Sequence, residues 1–202
     1  MGLLSGQRLV AVDTETTGLS PGGGHAIIEV ATVVIDGGEL GETWSSLVHP
    51  GRAIPPDASA VHGITDAMVE GAPPPETVAA ELRRRCGDET LVFHNYPFDL
   101  PFLAALLRAG SAPPFYNPVV DTLGLARGLM GPGGNSLGAL AARLGLPREP
   151  KHRALGDALT TARLLHKLVP LWEEKGEVQS LAELAALSQD VLRQTGARPA
   201  AV

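Results

Sequence analysis

Apolar residues in the first fifty positions form three short runs, each bounded by glycine, proline or polar residues. Runs of this length that are rich in valine, isoleucine and threonine are typical of strands. They predict strands over Arg8–Thr14, Ile27–Ile35 and Thr43–Val48. The Gly37-Gly38 pair between the second and third runs favours a tight hairpin, so the paired strands are expected to be antiparallel.

After residue 75 the apolar positions recur every three or four residues, which indicates helices, with two short apolar runs between them. The predicted order is a helix over Glu76–Cys86, a strand over Thr90–Phe93, a helix over Pro97–Ala109, a strand at Val119-Val120, a helix from about Thr122, and helices over Ser136–Leu144 and Leu155–Leu168. Three antiparallel strands, followed by two strands that alternate with helices, predict an α/β fold with a five-stranded mixed sheet flanked by helices. We expect one domain over residues 1–170.

Residues 171–202 are predicted to form a helical C-terminal extension. Within it, Ser180–Gln194 favours a helix with one apolar stripe made of Leu181, Leu184, Leu187 and Val191. Such a stripe has to be buried against something. It can pack on its own domain or on a second copy of the chain, which we favour, or it can dock onto another protein.

Composition favours a globular protein that is not embedded in a membrane. Apolar residues make up 44% of the 202 positions, which is enough for a sizeable core. No apolar run approaches the roughly 20 residues that cross a bilayer, and the N-terminus lacks the pattern of a signal peptide. Cys86 is the single cysteine, so no internal disulfide can form, which fits a reducing, cytoplasmic setting.

The charge is negative overall but unevenly distributed. The net charge is −6, with 2 basic and 11 acidic residues in positions 1–82 and 14 basic and 11 acidic residues in positions 83–202. A chain with this balance does not coat nucleic acid with positive charge. If it binds nucleic acid, it should do so locally, with metal ions offsetting its carboxylates.

Asp13 and Glu15 stand at the end of the first predicted strand, directly after apolar Val10 and Val12. Side chains two residues apart in a strand point to the same face. Two adjacent carboxylates repel each other, and burying them is costly unless a cation lies between them. A hard divalent cation with oxygen ligands is the natural partner, although a solvated acidic strand end is the simpler alternative.

Two further segments carry polar residues where strands and helices meet. His94-Asn95-Tyr96-Pro97-Phe98-Asp99 follows the fourth strand, and such strand ends gather functional groups in α/β folds. By itself, Asp99 could merely stabilise a helix N-terminus. The third segment places His152 in a loop five residues before Asp157, which lies on a helix, and a lone loop histidine is usually a surface residue.

Together these segments resemble the three motifs of the DEDDh (DnaQ-like) exonuclease superfamily, most closely the proofreading epsilon subunits of bacterial DNA polymerase III. The matching segments are Asp13 and Glu15 in DTETTGL, Asp99 in HNYPFD, His152 and Asp157 in H-x-x-x-x-D, the VHGIT segment at Val61–Thr65, and Asp121-Thr122-Leu123. The resemblance runs from about Arg8 to Val169 and implies an RNase H-like fold. Tyr96 departs from the small residue of many relatives without affecting the expected metal ligands.

The resemblance also implies a reaction and the residues that perform it. The chain is expected to be a 3′→5′ exonuclease that hydrolyses phosphodiester bonds and releases nucleoside 5′-monophosphates, with single-stranded DNA ends preferred, in proofreading or repair. Asp13, Glu15 and Asp157 would hold one Mg²⁺ or Mn²⁺ ion and the attacking water, Asp13 and Asp99 a second ion near the leaving oxygen, and His152 would take the proton from the water. The expected substrate contacts are Thr14, Thr16, Leu19, Val61, His62, Asn95 and Phe98.

Two alternatives remain open at this stage. A member of the same superfamily could instead trim RNA 3′ ends or short oligoribonucleotides, because the metal chemistry does not depend on the sugar. A module of another class would bind nucleic acid or a polymerase without cleaving anything, but all five catalytic positions are filled. A DNA polymerase subunit is a possible protein partner, alongside self-association through the C-terminal helix.

Overall fold

The computed structural model describes residues 2–196, which form one five-stranded mixed sheet with helices on both faces. The strands are β1 (Arg8–Thr16), β2 (Ile27–Asp36), β3 (Glu39–Leu47), β4 (Thr90–Phe93) and β5 (Val119–Asp121). Their spatial order is β3-β2-β1-β4-β5. β1, β2 and β3 pair antiparallel, while β4 and β5 run parallel to β1. The predicted α/β fold is confirmed.

Eight α-helices connect and cover these strands in the described part of the chain. They are α1 (Pro56–His62), α2 (Asp66–Val69), α3 (Pro75–Cys86), α4 (Tyr96–Ala109), α5 (Thr122–Met130), α6 (Leu137–Arg143), α7 (Ala154–Lys175) and α8 (Leu181–Thr195). Within residues 2–196, none of them is long and apolar enough to span a membrane.

The alternation of side chains along β1 divides the core between the two faces of the sheet. Leu9 and Ala11 face the cluster that contains the buried side of α7, whereas Val10 and Val12 face the cluster that contains α3 and α4. Because both faces are covered, β1 is almost entirely apolar until it reaches Asp13. The first polar side chains of β1 therefore emerge where the strand leaves the core.

The C-terminal helix α8 packs on its own chain. Leu184, Ala185 and Leu192 are buried, and α8 contacts α5 and β5. The close approach requires a glycine in α5, because a Cβ atom on Gly124 would lie 1.9 Å from the carbonyl oxygen of Ser188. Of the alternatives for the apolar stripe, packing on the same domain is therefore the one observed.

The division of the chain at residue 170 stays a prediction, and the structure shows what lies there. α7 continues through Pro170 as far as Lys175 and contributes the buried Trp172. The indole nitrogen of Trp172 donates a hydrogen bond to the carbonyl oxygen of Leu125 in α5. The last two turns of α7 thus belong to the same core as the strands.

Candidate active site

Three carboxylates converge where β1 ends beneath the first turn of α7. Asp13 and Glu15 of β1 and Asp157 of α7 each present an oxygen atom, and these three atoms lie within 4.8 Å of one another. They line a cleft of about 520 Å³ together with Asp99 and His152. The expectation that Asp13 and Glu15 share one face is met because the two residues alternate with the buried Thr14 along a regular strand.

Nearby cations such as Arg153 and Lys151 offset the negative charges of this group only in part. Burial, followed by repulsion from Asp99, Asp157 and the other carboxylates, raises the pKa of Asp13 well above its usual value. Burial and the neighbouring carboxylates likewise raise the pKa of Glu15 to about 8. Burial also raises the pKa of Asp157. A cluster with this electrostatic strain is stable when ionised only if cations bind to it.

A divalent cation fits this group of oxygens. Asp13, Glu15 and Asp157 provide hard carboxylate ligands that can close around one ion, as Mg²⁺, Mn²⁺ or Ca²⁺ requires. The elevated pKa values support the same interpretation, since a bound cation would offset the repulsion that raises them. These three residues are therefore able to hold a metal ion.

Asp99 occupies the opposite wall of the cleft, in the first turn of α4. Its Oδ1 accepts a hydrogen bond of 2.7 Å from the hydroxyl of Thr14. Burial raises the pKa of Asp99 to about 7, although this hydrogen bond works in the other direction. Asp99 does not belong to the group of three oxygens that lie within 4.8 Å, but its charge acts on Asp13 across the cleft.

His152 lies in an exposed loop and lines the cleft beside Asp157. Its backbone N–H donates a 3.1 Å hydrogen bond to Oδ2 of Asp157, and its backbone adopts the left-handed region at φ 55°. This conformation is costly for a residue with a side chain, so local contacts must hold it. One of them is a close approach, because a Cβ atom on Gly156 would lie 2.1 Å from the carbonyl oxygen of Pro150.

Glu29 is a structural part of the site that the sequence analysis did not identify. It lies on β2 opposite Glu15, is buried, and accepts hydrogen bonds from Arg153 at 2.7 and 3.0 Å. Its Oε2 also accepts a 2.9 Å bond from the backbone N–H of Ala154. Glu29 therefore fixes the start of α7 between His152 and Asp157. A single charged residue within the apolar run of β2 was the available signal.

Asp121 plays a comparable part on the other side of the cleft. It is fully buried at the end of β5, where burial raises its pKa to about 6. Its carboxylate caps α5 by accepting from the N–H of Gly124 and accepts a 2.6 Å bond from the N–H of Tyr96. Asp121 thereby fixes the turn that leads into Asp99. Its backbone N–H donates in turn to the hydroxyl of Ser188 in α8.

His94 has a structural role in the site and does not take part in proton transfer. Its Nε2–H donates to the carbonyl oxygen of Asn135, and its Nδ1 lies 2.9 Å from the hydroxyl of Thr122. Burial lowers the pKa of His94 to about 4. His94 therefore connects β4 to the glycine-rich loop before α6, and it is a poor candidate for a base near neutral pH.

The predicted substrate contacts fall into two groups. Thr14, Asn95 and Phe98 line the cleft itself, and Leu19 meets Asn95 and Phe98 in an adjoining pocket of about 250 Å³. The remaining three, Thr16, Val61 and His62, lie outside the lining of the cleft.

In the second group, the hydroxyl of Thr16 donates to the carbonyl oxygen of Gly18, and Val61 is exposed at the end of α1. His62 is buried, and its Nδ1 accepts a hydrogen bond from the N–H of Ile64. Burial lowers the pKa of His62. Its Nε2 is buried and has no hydrogen-bond partner of good geometry among residues 2–196.

Comparison with known proteins identifies relatives of this architecture. The sequence profile of the RNase T exonuclease family matches residues 10–165. A DNA polymerase III subunit epsilon-like protein of Rhodobacter capsulatus is 44% identical over 173 residues, which are 83% of this chain and 24% of that protein. The 3′-5′ exonuclease DinG of Bacillus subtilis is 36% identical over 91% of this chain and 20% of its own length. The chain thus spans about a quarter or less of these relatives.

Two solved structures extend the comparison to the fold. Exonuclease X, solved in complex with 5′-overhanging duplex DNA, superposes with a TM-score of 0.69 at 32% identity and covers 89% of this chain and 99% of its own. Exonuclease I of E. coli, solved with a dT13 oligonucleotide, superposes with a TM-score of 0.71 at 18% identity, over 84% of this chain and 43% of its own. The second likeness concerns the fold alone.

Proposed function

The chain belongs to the RNase T family of exonucleases, and we therefore propose that it removes nucleotides one at a time from the 3′ end of a DNA strand. The products are nucleoside 5′-monophosphates. The observation that carries this proposal is the meeting of Asp13, Glu15 and Asp157 within 4.8 Å in a cleft that His152 also lines. Carboxylates that can hold divalent cations beside a histidine are the groups that phosphodiester hydrolysis requires.

Five residues of the cleft have a task in this reaction. Asp13, Glu15 and Asp157 would hold one divalent cation, Mg²⁺ or Mn²⁺, and Asp99 together with Asp13 would hold a second. Bound there, the cations would supply Lewis-acid stabilisation of the phosphoryl oxygens and lower the pKa of the attacking water. His152 accepts the proton of that water while the bond between phosphorus and the upstream 3′ oxygen breaks. Histidine is the side chain that most often serves as a general base in enzymes.

The loop that carries His152 suits this task. The imidazole is exposed, so it can move toward a bound water while Glu29 and Asp157 hold the backbone on either side. The terminal nucleoside would occupy the adjoining pocket that Phe98, Asn95 and Leu19 form. Apolar walls with a few polar groups are typical of pockets that bind a nucleobase.

DNA is the substrate that the relatives support. The Rhodobacter protein is named as an epsilon-like subunit of DNA polymerase III, and other relatives are named as PolC-type DNA polymerase III. Exonuclease X was solved with DNA. By the same reasoning, a DNA polymerase subunit is the protein partner we propose. The apolar stripe of α8 offers such a partner little free surface, because Leu184 is buried within the same chain and Leu181 and Leu187 pack beside it.

A side-by-side digestion tests the proposal. The purified chain is incubated with a 5′-labelled single-stranded DNA, a primer-template with a 3′ mismatch, and a short RNA, each with Mg²⁺, with Mn²⁺ and with excess EDTA. We expect a ladder that shortens from the 3′ end, fastest on single-stranded DNA and absent in EDTA. Faster digestion of RNA than of DNA would indicate an exoribonuclease instead. If no substrate is digested with either metal, a module that binds nucleic acid without cleaving it would be favoured.

A further inference from the structure

Arg127 lies in the cleft and has no function in the reaction described so far. It is the only lysine or arginine among the residues that line this 520 Å³ space. No carboxylate in the described part of the chain forms an ion pair with it. Its Nε is buried without a hydrogen-bond partner among the same residues. A half-buried guanidinium with free donor capacity is suited to binding an anion.

The position of Arg127 in the cleft indicates which anion it binds. Glu29 of β2 binds Arg153, the residue that follows His152, whereas Arg127 follows β5, on the β4 side of the β1 carboxylates. In an in-line displacement the water enters opposite the departing 3′ oxygen. Since His152 faces the water, the departing strand extends toward the β4 and β5 side, where Asp99 and Arg127 lie.

The C-terminal helix holds Arg127 in this position. The Nη1 atom of Arg127 donates to the hydroxyl of Thr195 at 3.0 Å and to the carbonyl oxygen of Gly196 at 3.4 Å, at the end of α8. α8 can lie this close to α5 because Gly124 has no Cβ atom, which would otherwise lie 1.9 Å from the carbonyl oxygen of Ser188. This helix lies beyond the residues that match the family profile.

We propose that Arg127 binds the first phosphate upstream of the scissile phosphate, and that α8 orients Arg127 for this contact. The inference rests on the proposed exonuclease function, because it assigns the direction of the strand from that reaction. It also gives α8 a function in substrate binding, in addition to its packing on the core. The ligand is the phosphodiester backbone of a single strand, which Arg127 recognises by charge and hydrogen bonding and not by base sequence.

A substitution in the protein combined with one in the substrate tests this contact. The Arg127→Met variant keeps much of the length of the side chain and loses its charge. The probe is a 5′-labelled single-stranded oligonucleotide in which the second linkage from the 3′ end is either a phosphodiester or an uncharged methylphosphonate. Release of the first nucleotide is measured under single-turnover conditions with Mg²⁺, and binding of the same oligonucleotides is measured by fluorescence anisotropy with Ca²⁺.

We expect the methylphosphonate to weaken binding to the unmodified protein by about tenfold and to have almost no effect on Arg127→Met. The slope of log K against log salt should become shallower by about 0.7 in the variant, as for one lost phosphate contact to a single strand. Arg108→Met, at an exposed position on α4, serves as the matched control and should retain the full methylphosphonate effect. Thr195→Val, which removes the hydroxyl that holds Arg127, should show a partial loss of that effect.

Other outcomes separate the possible failures. Equal sensitivity of the two proteins to the methylphosphonate would overturn the inference, because another group would then contact that phosphate. A lower melting temperature of Arg127→Met with an unchanged affinity difference would make Arg127 a structural residue only. If the unmodified protein cleaves nothing, the proposed function fails, and the anisotropy data with Ca²⁺ still decide whether Arg127 contacts the phosphate.

Discussion

The two sides of the cleft are built on opposite electrostatic principles. On the β2 side, Asp13, Glu15 and Asp157 crowd together with elevated pKa values and depend on something outside the chain to balance them. On the β5 side, Asp121 is also buried, but backbone N–H groups of Tyr96 and Gly124 satisfy it. The first arrangement is suited to binding cations, and the second is suited to holding a wall in place.

This difference separates residues that perform chemistry from residues that support it. A buried carboxylate that accepts several N–H bonds has its charge stabilised within the fold, so it gains little from a metal ion. A carboxylate that faces other carboxylates keeps its oxygens available to a ligand. The following predictions test this distinction by removing groups from each side, beginning with the largest expected effect.

The largest effect is expected for the carboxylates on the β2 side. Asp13→Asn or Asp157→Asn should lower the rate of nucleotide release by about 10⁴-fold or more, because these groups act as a unit. The double variant should be hardly worse than either single one. In EDTA, Asp13→Asn should melt higher than the unmodified protein, since repulsion is relieved. Turnover of Asp13→Asn within tenfold of the unmodified rate would sink the metal-site interpretation.

His152→Ala is expected to have the next largest effect. Loss of a general base typically lowers the rate by about 10²–10⁴-fold, and metal binding should persist because the carboxylates remain. The acid limb of the pH–rate profile, measured at saturating metal, should change in this variant. The matched control is His49→Ala, at another exposed histidine, which should behave like the unmodified protein. A loss of less than tenfold with an unchanged limb would remove His152 from the mechanism.

The contact between Glu29 and Arg153 distinguishes positioning from charge balance. Glu29→Gln keeps an oxygen for the N–H of Ala154, so we expect a roughly tenfold lower kcat with little change in stability. Arg153→Met leaves the Glu29 carboxylate buried without its cation. It should therefore lower stability in EDTA by about 2 kcal/mol, at the lower end for a buried pair because Arg153 is partly exposed. Equal effects of the two substitutions on thermal melting would contradict this assignment.

The sequence predicted the residues that carry out the chemistry better than the residues that hold them in place. Asp13 and Glu15 follow from the alternation of side chains at the end of an apolar strand, and the resemblance to known exonucleases supplied Asp99, His152 and Asp157. Glu29 was concealed within the apolar pattern of β2, because its partners Arg153 and Ala154 are more than 120 residues away. Long-range pairs of this kind leave no local periodicity that could indicate them.

The C-terminal region shows the same limit in the fold. The apolar stripe of α8 was visible in the sequence, but the surface that covers it was not. That surface depends on Gly124, which appears only as a weak helix former until α8 is placed against it. Likewise, the predicted helix ended at Leu168, whereas α7 continues to Lys175 and buries Trp172 in the core.

The pH dependence of stability without metal provides a further comparison of the two sides. Burial and repulsion raise the pKa of Glu15 from 4.5 to about 8 and that of Asp99 from 3.8 to about 7. Between these limits the folded protein binds more protons than the unfolded chain, so its stability falls as pH rises from about 4 to about 8. In EDTA the protein should therefore melt higher at pH 6 than at pH 8, by several degrees.

Saturating Mn²⁺ should reduce this difference, because bound cations favour the ionised carboxylates. Asp13→Asn and Asp157→Asn should reduce it as well, even without metal. The measurement is thermal unfolding followed by circular dichroism at the two pH values. A melting temperature in EDTA that rises with pH over this range would mean that the carboxylates are compensated in some other way.

The smallest effect is expected on the β5 side, from Ser188→Ala. The hydroxyl of Ser188 accepts a 3.0 Å hydrogen bond from the N–H of Asp121 and donates to the carbonyl oxygen of Ala185. Its removal leaves one buried donor unsatisfied, which costs about 1–2 kcal/mol and should lower the melting temperature by roughly 2–6 °C.

Because Ser188 contacts the backbone N–H of Asp121 and not its carboxylate, the loss from Ser188→Ala should be similar at pH 6 and pH 8 and with Mn²⁺ or EDTA. Ala182→Ser, at an exposed position near the start of α8, is the control for changing a small residue in this helix. If the destabilisation by Ser188→Ala instead varied with pH or metal as strongly as the stability of the unmodified protein does, α8 would be coupled to the carboxylates, and the two sides of the cleft would not be independent.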